Sequence, residues 1–265
     1  MTKYKNLDRL IKEIKALKED EIIILVDEVL KFSEESMRKF AFRQKFEIPS
    51  SVSLVKKYDN VKKISLESSP VKPFLCDTLL KRKSIREYSE KPLTFQELST
   101  LLVYSYGVRS FSPAYNYSNF PFRTSPSGGG LQSIEIYCVI NKVEEIEQGL
   151  YHFDPIHNCL DQIFTGFCIG KLSEFCKGQE FVSNAGVVFI LTMVLNRGIW
   201  KYSSIYYKIA LLDAGCVAEN IHLLSTAMDL GSCLIAGFNS EEVSKFIGVR
   251  DELEIPVLLI SIGKK

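Results

Sequence analysis

This sequence has almost no net charge, no long apolar run and no C-x-x-C pair of cysteines. The formal net charge is only +1 in 265 residues, so no long-range field attracts nucleic acid or an acidic membrane surface. No stretch approaches the ~18 consecutive apolar residues that a membrane span needs, and the first residues lead into a charge-rich helix rather than a signal-peptide core. We therefore expect a protein with no nucleic-acid partner and no membrane partner.

The seven cysteines include no C-x-x-C pair and are odd in number. Cys138, Cys216 and Cys233 lie inside apolar runs, where a free cysteine packs as a small buried hydrophobe. In a chain of this size, an odd number of cysteines without the spacing of a disulfide framework indicates a reducing compartment. We expect the protein to be cytoplasmic.

The sequence also lacks the common fingerprints of phosphate and metal sites. The glycine-rich segment 126–130 has neither the G-x-G-x-x-G spacing of dinucleotide-binding folds nor the G-K-[ST] ending of a Walker loop. His152, His157 and Cys159 straddle a predicted hairpin turn without a fourth ligand, so we predict no metal site there. The remaining histidine, His222, is predicted to be a packed side chain on a long helix.

A proline-containing stretch over 49–75 separates two parts of the chain. Before it, apolar residues at helical spacing predict one helix over 4–18 and a second over 20–44. We assign 1–60 to an N-terminal helical extension and arm, and 61–265 to the main domain. The extension is either a docking arm for a partner or leader peptide, or a helical addition that packs on its own domain.

The main domain is predicted to be organised around a long apolar helix that begins near Tyr206. The small residues Ala210, Ala214 and Ala218 share one face, which lets another helix approach closely at a domain centre or a subunit interface. The glycine-bracketed strand 231–237 follows, and its backbone N–H groups can come close to a flat ligand. Two further apolar runs predict strands that are buried on both faces, over 185–195 and 255–262.

A basic stretch near residue 80 has the composition of a phosphate site. Arg82 and Arg86 are four residues apart and are predicted to share a helix face, with the Ser84 hydroxyl close by. Two guanidinium groups and a hydroxyl suit a phosphate monoester, although most such stretches are solvated helix faces. A capping box then predicts a helix after Thr94. We interpret the aromatic and polar residues 108–125 as a loop that can act as a lid.

Several of these motifs follow one another in a fixed order from about residue 79 to the end of the chain. They are Arg82-x-Ser84-x-Arg86, Pro126-Ser127-Gly128-Gly129, Gly149-Leu150-Tyr151-His152-Phe153, Ala210-Leu211-Leu212-Asp213-Ala214-Gly215, and Gly231-Ser232-Cys233 through Gly237-Phe238. The ordered set resembles the FMN-dependent nitroreductase superfamily and, within it, the branch of azoline peptide oxidases of the SagB-type dehydrogenase kind.

The resemblance implies an α+β fold in which helices flank an antiparallel-rich central sheet, and a homodimer that holds FMN at the subunit interface. It implies that the FMN phosphate and ribityl chain are held by Arg82, Ser84, Arg86 and the C-terminal Lys264. It also implies a flavin-ring site formed by Pro126, Ser127, Gly128 and Gly129, with Ala236 and Gly237 at the opposite edge. A ring that accepts hydride needs such close backbone contact and an open face for substrate.

The oxidase branch carries an adjacent lysine–tyrosine pair shortly before the long helix. Lys201-Tyr202 stands at that place, and Tyr207 matches an aromatic residue just inside the helix. Aromatising an azoline removes a carbon-bound proton while hydride leaves for the flavin. A tyrosine with an ordinary pKa near ~10 is a poor base unless an ammonium group stabilises its phenolate. We hypothesise that Tyr202 is the base and Lys201 its activator, or that the two roles are exchanged.

Two stretches depart from the pattern of this branch. Residues 130–133 read Gly-Leu-Gln-Ser instead of Ala-Leu-Tyr-Pro, which concerns the shape of the substrate pocket, and residues 205–208 read Ile-Tyr-Tyr-Lys instead of Arg-Gly-Tyr-Arg. Our first hypothesis is an FMN-dependent dehydrogenase of azoline rings in a ribosomally made peptide, working beside a cyclodehydratase. The second is an NAD(P)H-dependent nitro or quinone reductase on the same fold. The third is a flavin-free scaffold subunit of a peptide-modifying complex.

Overall fold

The computed structural model describes residues 49–54, 56–68, 74–249 and 253–265, and a few residues between 10 and 29. Some of the latter are helical, in agreement with the two predicted N-terminal helices: residues 10, 12–14, 21, 25–26 and 28–29. Residues 16 and 17 form a turn, so the prediction that the first helix continues to residue 18 was wrong. The other residues of the two predicted helices lie outside the described part of the chain. The division of the chain at residue 60 stays a prediction.

Strands and helices alternate irregularly along the described chain. The strands are β1 (Lys63–Ser65), β2 (Val108–Ala114), β3 (Tyr117–Arg123), β4 (Ile134–Ile140), β5 (Gly149–Asp154), β6 (Cys159–Thr165), β7 (Val187–Val194), β8 (Leu230–Ile235) and β9 (Glu254–Lys264). The helices are α1 (Leu75–Lys81), α2 (Phe95–Tyr106), α3 (Ile169–Phe175), α4 (Ile199–Tyr202), α5 (Tyr206–Ala227) and α6 (Ser240–Phe246). Among these described residues, no helix is both long enough and apolar enough to cross a membrane.

A seven-stranded sheet forms the centre of the fold. Its strands lie in the order β1-β6-β5-β4-β7-β9-β8, and each neighbouring pair is antiparallel. The remaining two strands, β2 and β3, pair as a separate antiparallel hairpin. The predicted α+β fold with an antiparallel sheet flanked by helices is therefore confirmed.

The apolar strand β7 separates two hydrophobic cores. Successive side chains of a strand point to opposite faces of the sheet. Phe189 and Leu191 therefore join the core that contains α2 and α5, while Val188 and Ile190 join the core that contains α3 and α6. A strand buried on both faces needs a continuous apolar run, which explains the sequence of β7.

The alanine ridge of α5 faces the protein interior, as predicted. Ala210, Ala214 and Ala218 are buried, and α2 packs nearby, with the Asn220 side-chain amide donating a hydrogen bond of 3.1 Å to the Ser105 carbonyl. Cys138 and Cys233 are buried as expected. The expectation for Cys216 was wrong, because it lies on the exposed side of α5. The apolar run around Cys216 predicted burial from its average hydrophobicity, which does not tell which side of the helix each residue occupies.

The prediction that Arg82 and Arg86 share a helix face was wrong. Helix α1 ends before Arg82, and residues 82–89 are extended along the edge of the sheet. The Ile85 amide donates to the Ser232 carbonyl of β8 at 2.9 Å. Gly231 makes this possible, since a Cβ there would lie 2.7 Å from Ile85 Cγ2. Ser84 and Arg86 both hydrogen-bond to the Cys233 thiol of β8, and Arg82 contacts His222 of α5.

The prediction that residues 108–125 form a loop was wrong, because they contain the hairpin of β2 and β3. Phe120 is fully buried and its ring lies against Tyr115 and Phe122, with centroid distances of 5.6 and 5.3 Å. Aromatic pairs of this kind stabilise neighbouring strands. The aromatic content, interpreted as a lid, instead packs the hairpin against the main domain.

Candidate active site

The glycine-rich loop is fixed to α5 by one buried carboxylate. Asp213 accepts hydrogen bonds from the Ser127 hydroxyl at 2.7 Å, the Gly128 amide at 2.9 Å and the Ser133 hydroxyl at 2.7 Å. A Cβ on Gly128 would lie 2.1 Å from Ile209 Cγ2, so only glycine allows this close approach. The sequence analysis quoted Asp213 within a motif but gave it no role.

The structure places the predicted lysine–tyrosine pair against this loop. A Cβ on Gly129 would lie 2.6 Å from the Tyr202 hydroxyl and 3.1 Å from Lys201 Nζ. Gly129 also has a φ of 64°, which an L side chain rarely adopts. Tyr202 stacks on Tyr206 at the start of α5, with 6.0 Å between the ring centroids. Two groups that are about 70 residues apart in the sequence therefore meet in the fold.

A second phenol, missed by the sequence analysis, joins this pair. Lys201 Nζ donates a hydrogen bond of 2.9 Å to the Tyr115 hydroxyl oxygen, and Tyr115 in turn donates to the Gly129 carbonyl. Tyr115 occupies the turn between β2 and β3 with a φ of 55°. Nothing in the local pattern of the sequence distinguishes it from its aromatic neighbours.

The surroundings of Lys201 favour its charged form. Partial burial acts to lower the pKa of Lys201, but hydrogen bonds to Tyr115 and Tyr202 outweigh it, and the pKa of Lys201 is raised. Its ammonium lies 4.9 Å from the ring centroids of both tyrosines. Lys201 is therefore an ammonium group at neutral pH.

The predicted phosphate residues form another group, at the edge of the sheet. Arg82 Nη1 lies 2.8 Å from His222 Nε2, and His222 Nδ1 lies 3.0 Å from the Ser232 hydroxyl. An arginine can only donate, so His222 Nε2 is the acceptor and must carry no proton. Burial and the neighbouring guanidinium lower the pKa of His222, which favours this neutral form. His222, predicted only to be packed, thus also orients Arg82.

Ser84 and Arg86 are exposed next to the same strand. Burial raises the pKa of the Cys233 thiol, against the opposing effect of the Arg86 charge and of hydrogen bonds to Arg86 and Ser84. The Arg86 guanidinium also lies 5.9 Å from the Phe181 ring centroid. The hydroxyl and the guanidinium that are predicted to bind a phosphate therefore both lie beside Cys233 of β8.

The other predicted cofactor residues have mixed surroundings. Ala236 and Gly237 are exposed directly after β8. Lys264 Nζ lies 2.5 Å from a carboxylate oxygen of Glu97, whose side chain also caps α2. The positive charge of Lys264 is therefore already paired with the Glu97 carboxylate.

The loop and the phosphate residues contact opposite sides of α5. Asp213 holds the loop and His222 contacts Arg82, and these two residues are nine positions apart. At about 100° and about 1.5 Å per residue, nine positions correspond to opposite helix faces and about 14 Å along the axis. The loop and Arg82 therefore contact α5 on opposite faces, about two and a half turns apart.

A more deeply buried polar group lies on the sheet, and none of its three members was assigned to the predicted site. Glu135 accepts from Arg197 and lies 2.6 Å from His152 Nε2, and the three side chains are at most 3% exposed. Burial acts to raise the pKa of Glu135, but Arg197 and His152 hold it well below its usual range. The described residues contain no cluster of three or more His, Cys, Asp or Glu side chains placed to hold a metal ion.

Comparison with known proteins agrees with the fold. Residues 79–264 match the family described as "Nitroreductase family". The chain belongs to the nitroreductase family. It is 30% identical over 189 residues to "Putative nitroreductase MJ1384" of Methanocaldococcus jannaschii, covering 71% of this chain and 90% of the relative. Membership makes the protein a nitroreductase-family oxidoreductase, in a family that typically binds FMN.

More distant similarities include a peptide-processing protein. The microcin B17-processing protein McbC of Escherichia coli is 23% identical over 146 residues, or 53% of this chain and 54% of McbC. The crystal structure of a "putative nitroreductase" from Anabaena variabilis is 28% identical, with a TM-score of 0.68, over 81% of this chain and 44% of that chain. The E. coli microcin synthetase McbBCD complex with truncated pro-MccB17 bound contains a chain with a TM-score of 0.56 and 17% identity, covering 96% of this chain and 97% of that chain, a likeness of fold.

Proposed function

We propose that the protein is a cytoplasmic, FMN-dependent dehydrogenase that converts azoline rings of a ribosomally made peptide into azoles. The observation that carries this proposal is the position of Lys201 and Tyr202 against Gly129, at the loop assigned to the flavin ring. Similarity to McbC over about half of the chain supports a peptide substrate. All seven cysteines are free, which suits a reducing compartment.

The residues present fit FMN. Gly128 and Gly129 bring the loop backbone against Ile209 and Tyr202 and add no side chain that would cover a flat ring, and Arg82, Ser84 and Arg86 offer charge and a hydroxyl for a phosphate. We assign the ring to the loop Pro126, Ser127, Gly128 and Gly129, with Ala236 and Gly237 at its other edge, and the phosphate to Arg82, Ser84, Arg86 and Lys264. When bound, FMN supplies a hydride acceptor that molecular oxygen can regenerate.

Tyr202 and Lys201 supply the proton chemistry. Conversion of an azoline to an azole removes one proton and one hydride from neighbouring ring atoms. Tyr202, as a phenolate, takes the proton at its hydroxyl oxygen. The Lys201 ammonium lies beside Tyr202 and opposes the negative charge of that phenolate. The opposite assignment of the two roles is disfavoured, because the raised pKa of Lys201 leaves almost none of its amine unprotonated at neutral pH.

We further propose a homodimer that holds FMN at the subunit interface. The loop and the phosphate residues of one chain lie on opposite sides of α5, so a second copy can complete each site. Helix α5 also exposes large apolar side chains, as an interface requires: Tyr207, Leu211 and Leu212. By analogy with the McbBCD complex, we propose a cyclodehydratase as the partner that forms the azoline.

The proposal is tested with the purified wild-type protein. We expect a yellow protein that contains FMN and that, with oxygen present, converts an azoline-containing peptide into a product lacking two hydrogen atoms per ring, as measured by mass spectrometry. FMN-containing protein that leaves the azoline intact, alone and with a cyclodehydratase, contradicts the substrate assignment. Protein that remains colourless after incubation with FMN contradicts the assignment of the cofactor and favours a scaffold subunit.

A reductase of nitro or quinone compounds is the second candidate. It is favoured by the 30% identity to the M. jannaschii relative. Rapid reduction of the bound flavin by NADH or NADPH, coupled to turnover of a nitroarene, is its expected signature. Slow reduction by both nucleotides favours the azoline dehydrogenase.

A further inference from the structure

Tyr115 is the residue that joins the β2–β3 hairpin to the candidate active site. Its ring packs on Phe120 of its own hairpin, and on Trp200 at a centroid distance of 5.8 Å with the rings nearly perpendicular. Trp200 directly precedes Lys201. The Tyr115 hydroxyl is therefore held from two sides beside the Lys201 ammonium, rather than meeting it by chance at a mobile tip.

The hydrogen bonds of Tyr115 have only one consistent direction. A phenol has a single proton, and the Gly129 carbonyl can only accept, so Tyr115 donates that proton to Gly129. Its oxygen is then the acceptor for Lys201 Nζ, 2.9 Å away. The chain of bonds runs from Lys201 to Tyr115 to the carbonyl of the glycine that touches Tyr202.

We propose that Tyr115 is a positioning residue, which holds the Lys201 ammonium beside Tyr202. This inference rests on the proposed function of Lys201 and Tyr202. Because Tyr115 gives its single proton to the Gly129 carbonyl, we assign the proton transfer to the other phenol that contacts Lys201, Tyr202.

The position of Tyr115 also affects how a substrate can enter the site. Because Tyr115 lies at the turn of the hairpin, the orientation of Lys201 depends on the position of β2 and β3. A substrate that displaces the hairpin also removes the Tyr115 oxygen, which accepts the hydrogen bond from Lys201. Productive substrates must therefore leave the bond between Tyr115 and Gly129 in place.

The test is the variant Tyr115→Phe, which keeps the ring packing on Phe120 and Trp200 and removes only the hydroxyl. Tyr117→Phe is the matched control, since Tyr117 is on the same hairpin and is partly exposed. The first readout is the pH at which Lys201 reacts with an amine-selective acylating reagent, followed by peptide mass spectrometry. Because hydrogen bonding raises the pKa of Lys201, we expect Tyr115→Phe to move this pH down, and Tyr117→Phe to leave it unchanged.

The second readout is the pH profile of azole formation. We expect kcat to fall about 10-fold in Tyr115→Phe, with the KM for the peptide and the FMN content unchanged. An unchanged reactivity profile of Lys201 in Tyr115→Phe overturns the inference, whether or not the wild type acts on azolines. A wild type that forms no azole contradicts the proposed function instead, and the Lys201 titration remains a test of the Tyr115 contact.

Discussion

Two polar groups in this protein, Glu135–His152–Arg197 on the sheet and Tyr115–Lys201–Tyr202 at the loop, differ in how each charge is neutralised. On the sheet, a carboxylate meets a guanidinium and an imidazole, and all three are at most 3% exposed. At the loop, the Lys201 ammonium meets two phenols, and Lys201 and Tyr202 are only half-buried.

This difference distinguishes charges that stabilise the fold from charges that can take part in a reaction. The pKa of Glu135 is displaced far from its usual range, but its partners are opposite charges locked in a dry interior, so no substrate can reach it. The pKa of Lys201 is displaced less, by phenols that can themselves exchange protons. A large pKa displacement therefore does not by itself mark the active site, and accessibility decides between the two groups.

The largest expected effect concerns the loop group. Tyr202→Phe and Lys201→Ala should each reduce the rate of azole formation by roughly 10²–10⁴-fold, the usual contribution of a general base and its activator. The FMN content and the thermal unfolding temperature should match the wild type, because both side chains are half-buried. Tyr104→Phe, on the exposed side of α2, is the control and should keep full activity. Wild-type turnover in both variants would remove the pair from the chemistry.

The next effect concerns the group on the sheet. Glu135→Gln leaves the Arg197 charge buried without its partner, which should lower the free energy of unfolding by about 3–5 kcal/mol in denaturant titrations. Activity per folded molecule should stay close to that of the wild type. Glu241→Gln breaks only the exposed pair with Lys245 and should leave the denaturation midpoint where it is. Equal effects of the two variants would contradict the contrast drawn between buried and exposed pairs.

A pH series sharpens the same comparison. The pKa of Glu135 is lowered in the fold, so its stabilising contribution is present above its ordinary value of 4.5 and is lost as the pH falls through the folded value. The pKa of His152 is raised despite its burial, mainly by Glu135, so its contribution is complete below 6.5 and is lost as the pH rises through the folded value. We expect His152→Gln to flatten the alkaline side of a plot of unfolding free energy against pH, whereas Tyr202→Phe keeps the wild-type shape.

The smallest expected effect concerns His222 and the phosphate residues. His222→Phe removes the acceptor that orients Arg82 and should weaken FMN binding about 10-fold, in the range of one hydrogen bond to a charged group. His222→Gln retains an acceptor and should recover part of the affinity, while His157→Gln, at an exposed position, should have no effect. The quenching of FMN fluorescence on binding measures all three. Equal affinity in His222→Phe and the wild type would show that Arg82 needs no such support.

Much of this fold follows from short-range patterns in the sequence. The apolar runs predicted strands over 185–195 and 255–262, which correspond to β7 and β9, and the capping box at Thr94 predicted the start of α2. These signals are local, because burial on both faces or a capped helix end constrains neighbouring residues directly.

The remaining features depend on contacts between distant segments. Residues 82–89 have a helix-like charge spacing but are extended, because Gly231 and Gly263 leave room for Ile85 and Tyr88 on the sheet. Tyr115 reaches Lys201 only through the hairpin register, and Asp213 is paired with a loop about 85 residues earlier. No periodicity encodes such pairings. The family resemblance supplied Lys201 and Tyr202, and the structure supplied their third partner.

The most direct test of the central claim is an anaerobic titration of the FMN-loaded wild type with an azoline-containing peptide, followed by flavin absorbance. We predict that the peptide alone, without NADH or NADPH, reduces the bound flavin and yields one azole per flavin reduced, and that Tyr202→Phe with the same FMN content does so far more slowly. A flavin that stays oxidised with the azoline peptide but is reduced at once by NADPH would contradict the account and identify a reductase.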